Sequence, residues 1–160
     1  MTEGGMTEGG MSADELLTMA NAGIEMAVPV VWNMGVRFTE VRPGFVAAEV
    51  PFEGNGNHFG AMYAGVLATI GEVMGGPMTL ASFDMSSYFP LVKSITVDFL
   101  KPARSKVTGS MTLDLEEATK LQQLADENGK AEFQLVSELV DEEGTLVART
   151  TGTYQIRKAG

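Results

Sequence analysis

Residues 61–80, AMYAGVLATIGEVMGGPMTL, limit what this chain can fold into more than any other stretch. Read as a helix, they are apolar almost all round, which is the pattern of a helix buried inside a fold. Gly65, Gly71, Gly75 and Gly76 interrupt the run. Each glycine in a helix interior costs roughly 1 kcal/mol against alanine. Intrinsic propensity therefore does not explain the helix, and a surrounding sheet has to stabilise it. One carboxylate, Glu72, sits in the middle, and between Glu53 and Lys93 only Glu72 and Asp84 are charged. A lone acid on an apolar helix is costly unless it has partners or a chemical role.

At about 100° per residue, Gly65 and Glu72 fall nearly on one line, with Ala61, Ala68, Gly75 and Gly76 on or beside it. Small side chains let a ligand or another backbone come close. Two readings stay open on this ground alone. A substrate lies along the stripe with Glu72 pointing at it, or strands wrap the helix tightly and backbone amides hold the carboxylate.

The spacing Asn57, Gly60, Tyr63, Gly65, Glu72 resembles the hotdog-fold thioesterase superfamily, in the branch that includes phenylacetyl-CoA-type thioesterases. That branch carries Asn-x-x-Gly-x-x-His-Gly-Gly and an acid nine residues after the histidine. Here Tyr63 stands in the histidine's place and Ala64 in that of the first paired glycine, while Glu72 lies nine residues after Tyr63. The similarity continues in ITVDFLKPAR (95–104) and DEEGTLVARTTGTY (141–154) and spans residues 30–157. It implies an α+β hotdog domain, an antiparallel sheet wrapped around one long central helix. It also implies acyl-CoA thioester hydrolysis with catalytic Glu72, Gly65 and Asn57. Glu72 would be general base or nucleophile, the Gly65 amide would polarise the thioester carbonyl, and Asn57 would bind that carbonyl or orient water. Active sites shared between the subunits of a homodimer, or of a dimer of dimers, are implied as well.

Composition removes other classes. The chain has no cysteine and a single histidine, which leaves neither disulfides nor the ligands a zinc site usually draws on. A net charge of −10 argues against nucleic acid, which needs a basic footprint, and disfavours anionic membranes. No segment reads as a membrane span once glycines and turn signals are counted. No basic region precedes an apolar run at the N-terminus, so a cytoplasmic protein is expected. Coenzyme A would enter as part of the substrate, and no metal or redox cofactor is called for.

In chain order, residues 1–10 are MTEGG twice, and a disordered tail over 1–11 is expected. One domain then fills 12–160. Ser12 followed by Glu15 reads as a capping box that opens a helix over 12–28. Its Leu16, Leu17, Ala20 and Ile24 suit packing against the domain or a partner subunit, and a lid over the acyl pocket is the lesser reading. Residues 34–52 read as a hairpin turning at Arg42-Pro43-Gly44. The loop 53–60 lacks the lysine and glycine spacing of nucleotide loops. Alternation marks strands at 94–100, 107–115, 131–140 and 145–157, with Asp126–Gly129 and Asp141–Gly144 read as hairpin turns. The helix 61–80 is the core around which they pack.

Among further residues, Tyr63, Ala64, His58 and Phe59 of the loop-to-helix segment are substrate-binding candidates. His58 is a loop residue beside the motif, and Tyr63 is a pocket wall able to donate a hydrogen bond. Lys101, Arg104 and Lys106 form the densest basic cluster. They suit coenzyme A phosphates, or else are a solvated strand end. Two rivals stand beside the thioesterase: a non-catalytic acyl-CoA or lipid-binding module, against which Glu72 argues, and a hotdog dehydratase, against which Tyr63 argues.

Overall fold

The computed structural model describes residues 10–160. The tail expected to be disordered lies outside them except for Gly10 and Met11. Six strands form one fully antiparallel sheet: β1 (Arg37–Arg42), β2 (Phe45–Val50), β3 (Tyr88–Phe99), β4 (Val107–Thr112), β5 (Lys130–Val140) and β6 (Leu146–Lys158). Their order is β1-β2-β4-β5-β6-β3. Five helices complete the described chain: α1 (Ala13–Ala27), α2 (Pro29–Asn33), α3 (Ala64–Val73), α4 (Gly75–Ser82) and α5 (Leu115–Asn128). The sheet wraps α3–α4, which is the hotdog arrangement implied by the sequence resemblance.

The capping box is present: Ser12 Oγ accepts from the Glu15 amide at 3.2 Å, and the Ser12 amide donates to Glu15 at 2.7 Å. Leu16, Ala20 and Ile24 are the buried face of α1, a spacing of four that keeps them on one side. The β1–β2 hairpin turns at Pro43-Gly44, where Gly44 has φ +78°. Alternation reads directly in β5, where Ala131, Phe133, Leu135, Ser137 and Leu139 point inward.

The central helix differs from the expected 61–80 at both ends and in the middle. Met62 and Tyr63 stay outside it because their amides bond the carbonyls of Ala103 and Asn55, both at 2.8 Å. The helix breaks at Met74 between α3 and α4. Pro77 accounts for the break: it has no N–H for the Val73 carbonyl, and its ring crowds that turn. Burial of Leu67, Ile70, Met74 and Met78 contributes about 1.5–3 kcal/mol each, which offsets the glycines. By length and hydropathy the run Ala64–Ser82 would be long and apolar enough to cross a membrane, but half of it is buried inside the fold.

Two glycines explain how closely the sheet approaches. A Cβ at Gly71 would collide with the Thr150 side chain, and one at Gly75 with the Tyr154 ring. Ser137 Oγ donates to the Gly71 carbonyl at 3.0 Å, and Tyr154 Oη donates to the Glu72 carbonyl at 2.9 Å. Gly75 thus belongs to the face pressed on the sheet, not to the stripe of Glu72.

One element was absent from the sequence reading. Residues 107–115 are not a single strand. β4 ends at Thr112, and Asp114 caps α5 by accepting from the Glu116 and Glu117 amides. Asp126–Gly129 is not a hairpin turn but the end of α5, closed by Gly129 with φ +80°. α5 buries Ala118, Leu121 and Ala125, and the Tyr88 hydroxyl of β3 donates to its Asp126.

Candidate active site

Glu72 projects from the last turn of α3, partly buried. Its carboxylate has no hydrogen-bond or ion-pair partner among the described residues. The reading in which backbone amides hold this acid is therefore not what is found. Burial without compensating donors raises its pKa above the ordinary carboxylate value.

The acid lines a cavity of about 540 Å³ between α1–α2 and α3–α4. Its other walls include Ile24, Val31, Phe38, Val73 and Leu80. The helix α1 therefore packs on the domain and forms one side of this cavity as well. Of these walls, sequence reasoning singled out Ile24 for packing, and it did not single out Val31, Phe38, Val73 or Leu80. The signal that could have found them is the spacing of Ala20 and Ile24 on α1 and of Gly76 and Leu80 after Glu72.

The loop before α3 is built by Asn57. Its Oδ1 accepts from the amides of Phe59 (2.9 Å) and Ala61 (3.2 Å), and its own amide donates to the Ala61 carbonyl at 2.7 Å. The oxygen is thus committed to the turn, and Nδ2 has no acceptor among the described residues. Gly60 closes the turn with φ +73°. Asn55, not singled out from sequence, is the buried asparagine here: Nδ2 donates to the carbonyls of Met34 and Pro51 at 2.7 and 2.8 Å.

Tyr63 occupies the N-cap of α3 without a side-chain cap, 58% exposed. The amides of Ala64 and Gly65 donate to no acceptor among the described residues, and they stand at the positive end of the helix dipole. A Cβ at Gly65 would come within 2.6 Å of the Tyr63 ring. Asn57, Met62, Ala64, Leu67, Phe99 and Lys101 line a second cavity of about 340 Å³. Glu72 and Asn57 therefore lie on different cavities of one protomer, and Gly65 lines neither.

His58 and Phe59 are exposed at the loop tip, their ring centroids 3.9 Å apart. The basic cluster separates. Lys106 pairs with Glu49 at 3.3 Å, Arg104 shares a depression with Asp141, Glu142 and Glu143, and Lys101 alone reaches the Asn57 cavity.

The family model described as a domain of unknown function, DUF4442, matches residues 18–156. A solved protein of unknown function from Pseudomonas aeruginosa, described as a probable thioesterase, is 38% identical with a TM-score of 0.85. The match covers 89% of this chain and 95% of that one. A Chlorobaculum tepidum protein of unknown function shares the fold at 16% identity and TM-score 0.81, covering 92% of this chain and 97% of that one. A putative thioesterase from Shewanella oneidensis does so at 21% identity and TM-score 0.73, covering 90% and 98% respectively. No curated protein sequence matches the chain.

Proposed function

Because the chain belongs to the DUF4442 family and has the hotdog fold of these thioesterase neighbours, we propose that it hydrolyses acyl-CoA thioesters in the cytoplasm with Glu72 as general base or nucleophile. The observation that carries this is the Glu72 carboxylate, partly buried and unpartnered on the wall of an otherwise apolar cavity. A carboxylate left without donors keeps its lone pairs for a reacting group. As general base it removes a proton from water while that water's oxygen attacks the thioester carbonyl. As nucleophile its oxygen attacks the carbonyl itself, and water then opens the resulting anhydride. In both routes the carbon–sulfur bond breaks and the coenzyme A thiolate leaves to take up a proton.

The developing oxyanion needs donors. Free amides at Ala64 and Gly65 and the free Nδ2 of Asn57 suit it. Gly65 precedes Glu72 by seven residues, a rise of about 10 Å along the helix, too far for one carbonyl to meet both. This favours a two-fold dimer in which Glu72 of one protomer works with Gly65 of the partner subunit. The open edge strand β3, with Phe89, Leu91, Val92 and Phe99 exposed, suits such pairing. Lys101, beside the Asn57 cavity, is placed for a coenzyme A phosphate. The test is thiol release across a panel of acyl-CoAs by wild type and Glu72→Gln. No release by wild type on any member would overturn the proposal.

A further inference from the structure

The cavity beside Glu72 has a long axis set by the helix. Glu72, Gly76 and Leu80 follow one another at intervals of four, so they stack turn upon turn on one face, and all three line the cavity. From Glu72 to Leu80 the helix rises about 12 Å. Met19, Gly23 and Ile24 of α1 supply other walls. Among the described residues, Glu72 is the one charged side chain in the lining. Beyond it the side chains offer carbon and the Met19 sulfur, with nothing to hydrogen-bond a hydroxylated or charged acyl group.

Two lining residues are glycines on different helices, Gly23 in α1 and Gly76 in α4. An added Cβ would meet no atom within 4 Å at either position. Neither has a positive φ. Packing therefore does not require these glycines, as it requires Gly71 and Gly75, and backbone conformation does not either. Both are exposed and both line the cavity, so a larger side chain at either would narrow it. With carbon–carbon bonds of about 1.5 Å, an extended chain on the order of ten carbons spans the roughly 12 Å from Glu72 to Leu80, and the cavity of about 540 Å³ has room for it.

Resting on the thioesterase reading above, we propose that this cavity is the acyl-chain channel, that it selects straight, apolar acyl groups of medium length, and that Gly23 and Gly76 set the length it accepts. The experiment is steady-state kcat/KM on acetyl- to palmitoyl-CoA for wild type, Gly23→Leu, Gly76→Leu and Leu80→Ala. Calorimetric binding of butanoyl- and decanoyl-CoA to Glu72→Gln, with and without Gly23→Leu, accompanies it. Wild type should peak at medium chains. Each leucine variant should lower the decanoyl-to-butanoyl ratio of kcat/KM by roughly ten-fold or more, and Leu80→Ala should move the peak to longer chains. Binding to Glu72→Gln should tighten from butanoyl- to decanoyl-CoA and lose that gain with Gly23→Leu. If no acyl-CoA is turned over yet the binding series follows this order, the catalytic reading fails and the channel stands. If neither turnover nor binding depends on chain length, or both leucine variants leave the ratio unchanged, the channel is overturned.

Discussion

At the scale of single residues, the proposed reaction turns on Glu72, and its lack of partners among the described residues makes two outcomes separable. Glu72→Gln has no hydrogen bonds to lose, so the fold should persist while kcat falls by about 10²–10⁴-fold, the usual worth of a general base. KM should move little. Circular dichroism with steady-state kinetics checks this, and a folded variant with near wild-type turnover would leave the binding-module reading standing. The raised pKa adds a sign. In the proposed reaction the working form is the carboxylate, so kcat/KM should fall as pH drops through a value above the ordinary carboxylate range. Stability runs the other way. An acid whose folded pKa exceeds its unfolded one takes up its proton sooner when folded, so its burial penalty is present at neutral pH and relieved as pH falls. Glu72→Gln should therefore melt at or above the wild-type temperature at pH 7.5, and a clear drop there would mean that the carboxylate is held by donors after all. Glu72 was legible as a candidate because a charge inside an apolar run stands out. Its cavity was not, because the opposite wall comes from α1, some fifty residues away in sequence, and spacing carries no information about such a meeting.

At the scale of elements, the central helix was legible as buried, but its glycines divide in a way the helical wheel does not show. Gly71 and Gly75 make room for Thr150 and Tyr154, whereas Gly76 faces open space. Gly71→Ala should destabilise the fold, because overpacking costs about 1–3 kcal/mol against a propensity gain of roughly 1 kcal/mol. Gly76→Ala has only the gain, and chemical denaturation should place the two variants on opposite sides of wild type. The strands other than β3 were legible from alternation, since one face of each meets the core, whereas β3 starts at Tyr88, earlier than the expected 94–100, and buries Tyr88 alone. The helix α5 was not, although Asp114 and Gly129 mark its ends. Asn128-Gly129 is a signal shared by hairpin turns and helix C-termini, because both need a residue at positive φ. Leu115 and Leu124 on its exposed side also blur its apolar face. The segment joining β3 to β4 separates the three basic residues that sequence grouped together. If Lys101 holds a coenzyme A phosphate, Lys101→Ala should raise KM for acyl-CoA several-fold and leave KM for a short thioester lacking the nucleotide unchanged. Lys106→Ala, which loses an exposed pair worth about 0–1 kcal/mol, should change neither, and equal effects on both substrates would make the cluster a solvated strand end.

At the scale of the whole molecule, the residues proposed for the reaction stand apart within one protomer. The acid and the free amides lie on the same helix, about two turns apart, and Asn57 and Glu72 open onto separate cavities. A two-fold axis is the simplest operation that brings the start of one α3 to the end of another, since it places the same two patches against each other twice. The proposed dimer would place that axis along the apolar side chains of the β3 edge. This yields a prediction that no single-chain site satisfies. Glu72→Gln keeps the amides and Asn57 but lacks the acid. Asn57→Ala combined with Gly65→Pro keeps the acid but loses the oxyanion donors. Each protein alone should be nearly inactive. Mixed in equal amounts, unfolded and refolded together, half of the dimers are heterodimers, and each heterodimer has one site with both sets intact. About a quarter of wild-type activity should return if subunits pair at random across a two-fold axis. Size-exclusion chromatography with light scattering shows that the dimers have formed, and tagged subunits isolate the heterodimer. Recovery of no activity in a folded, verified heterodimer would place acid and amides in the same protomer's site.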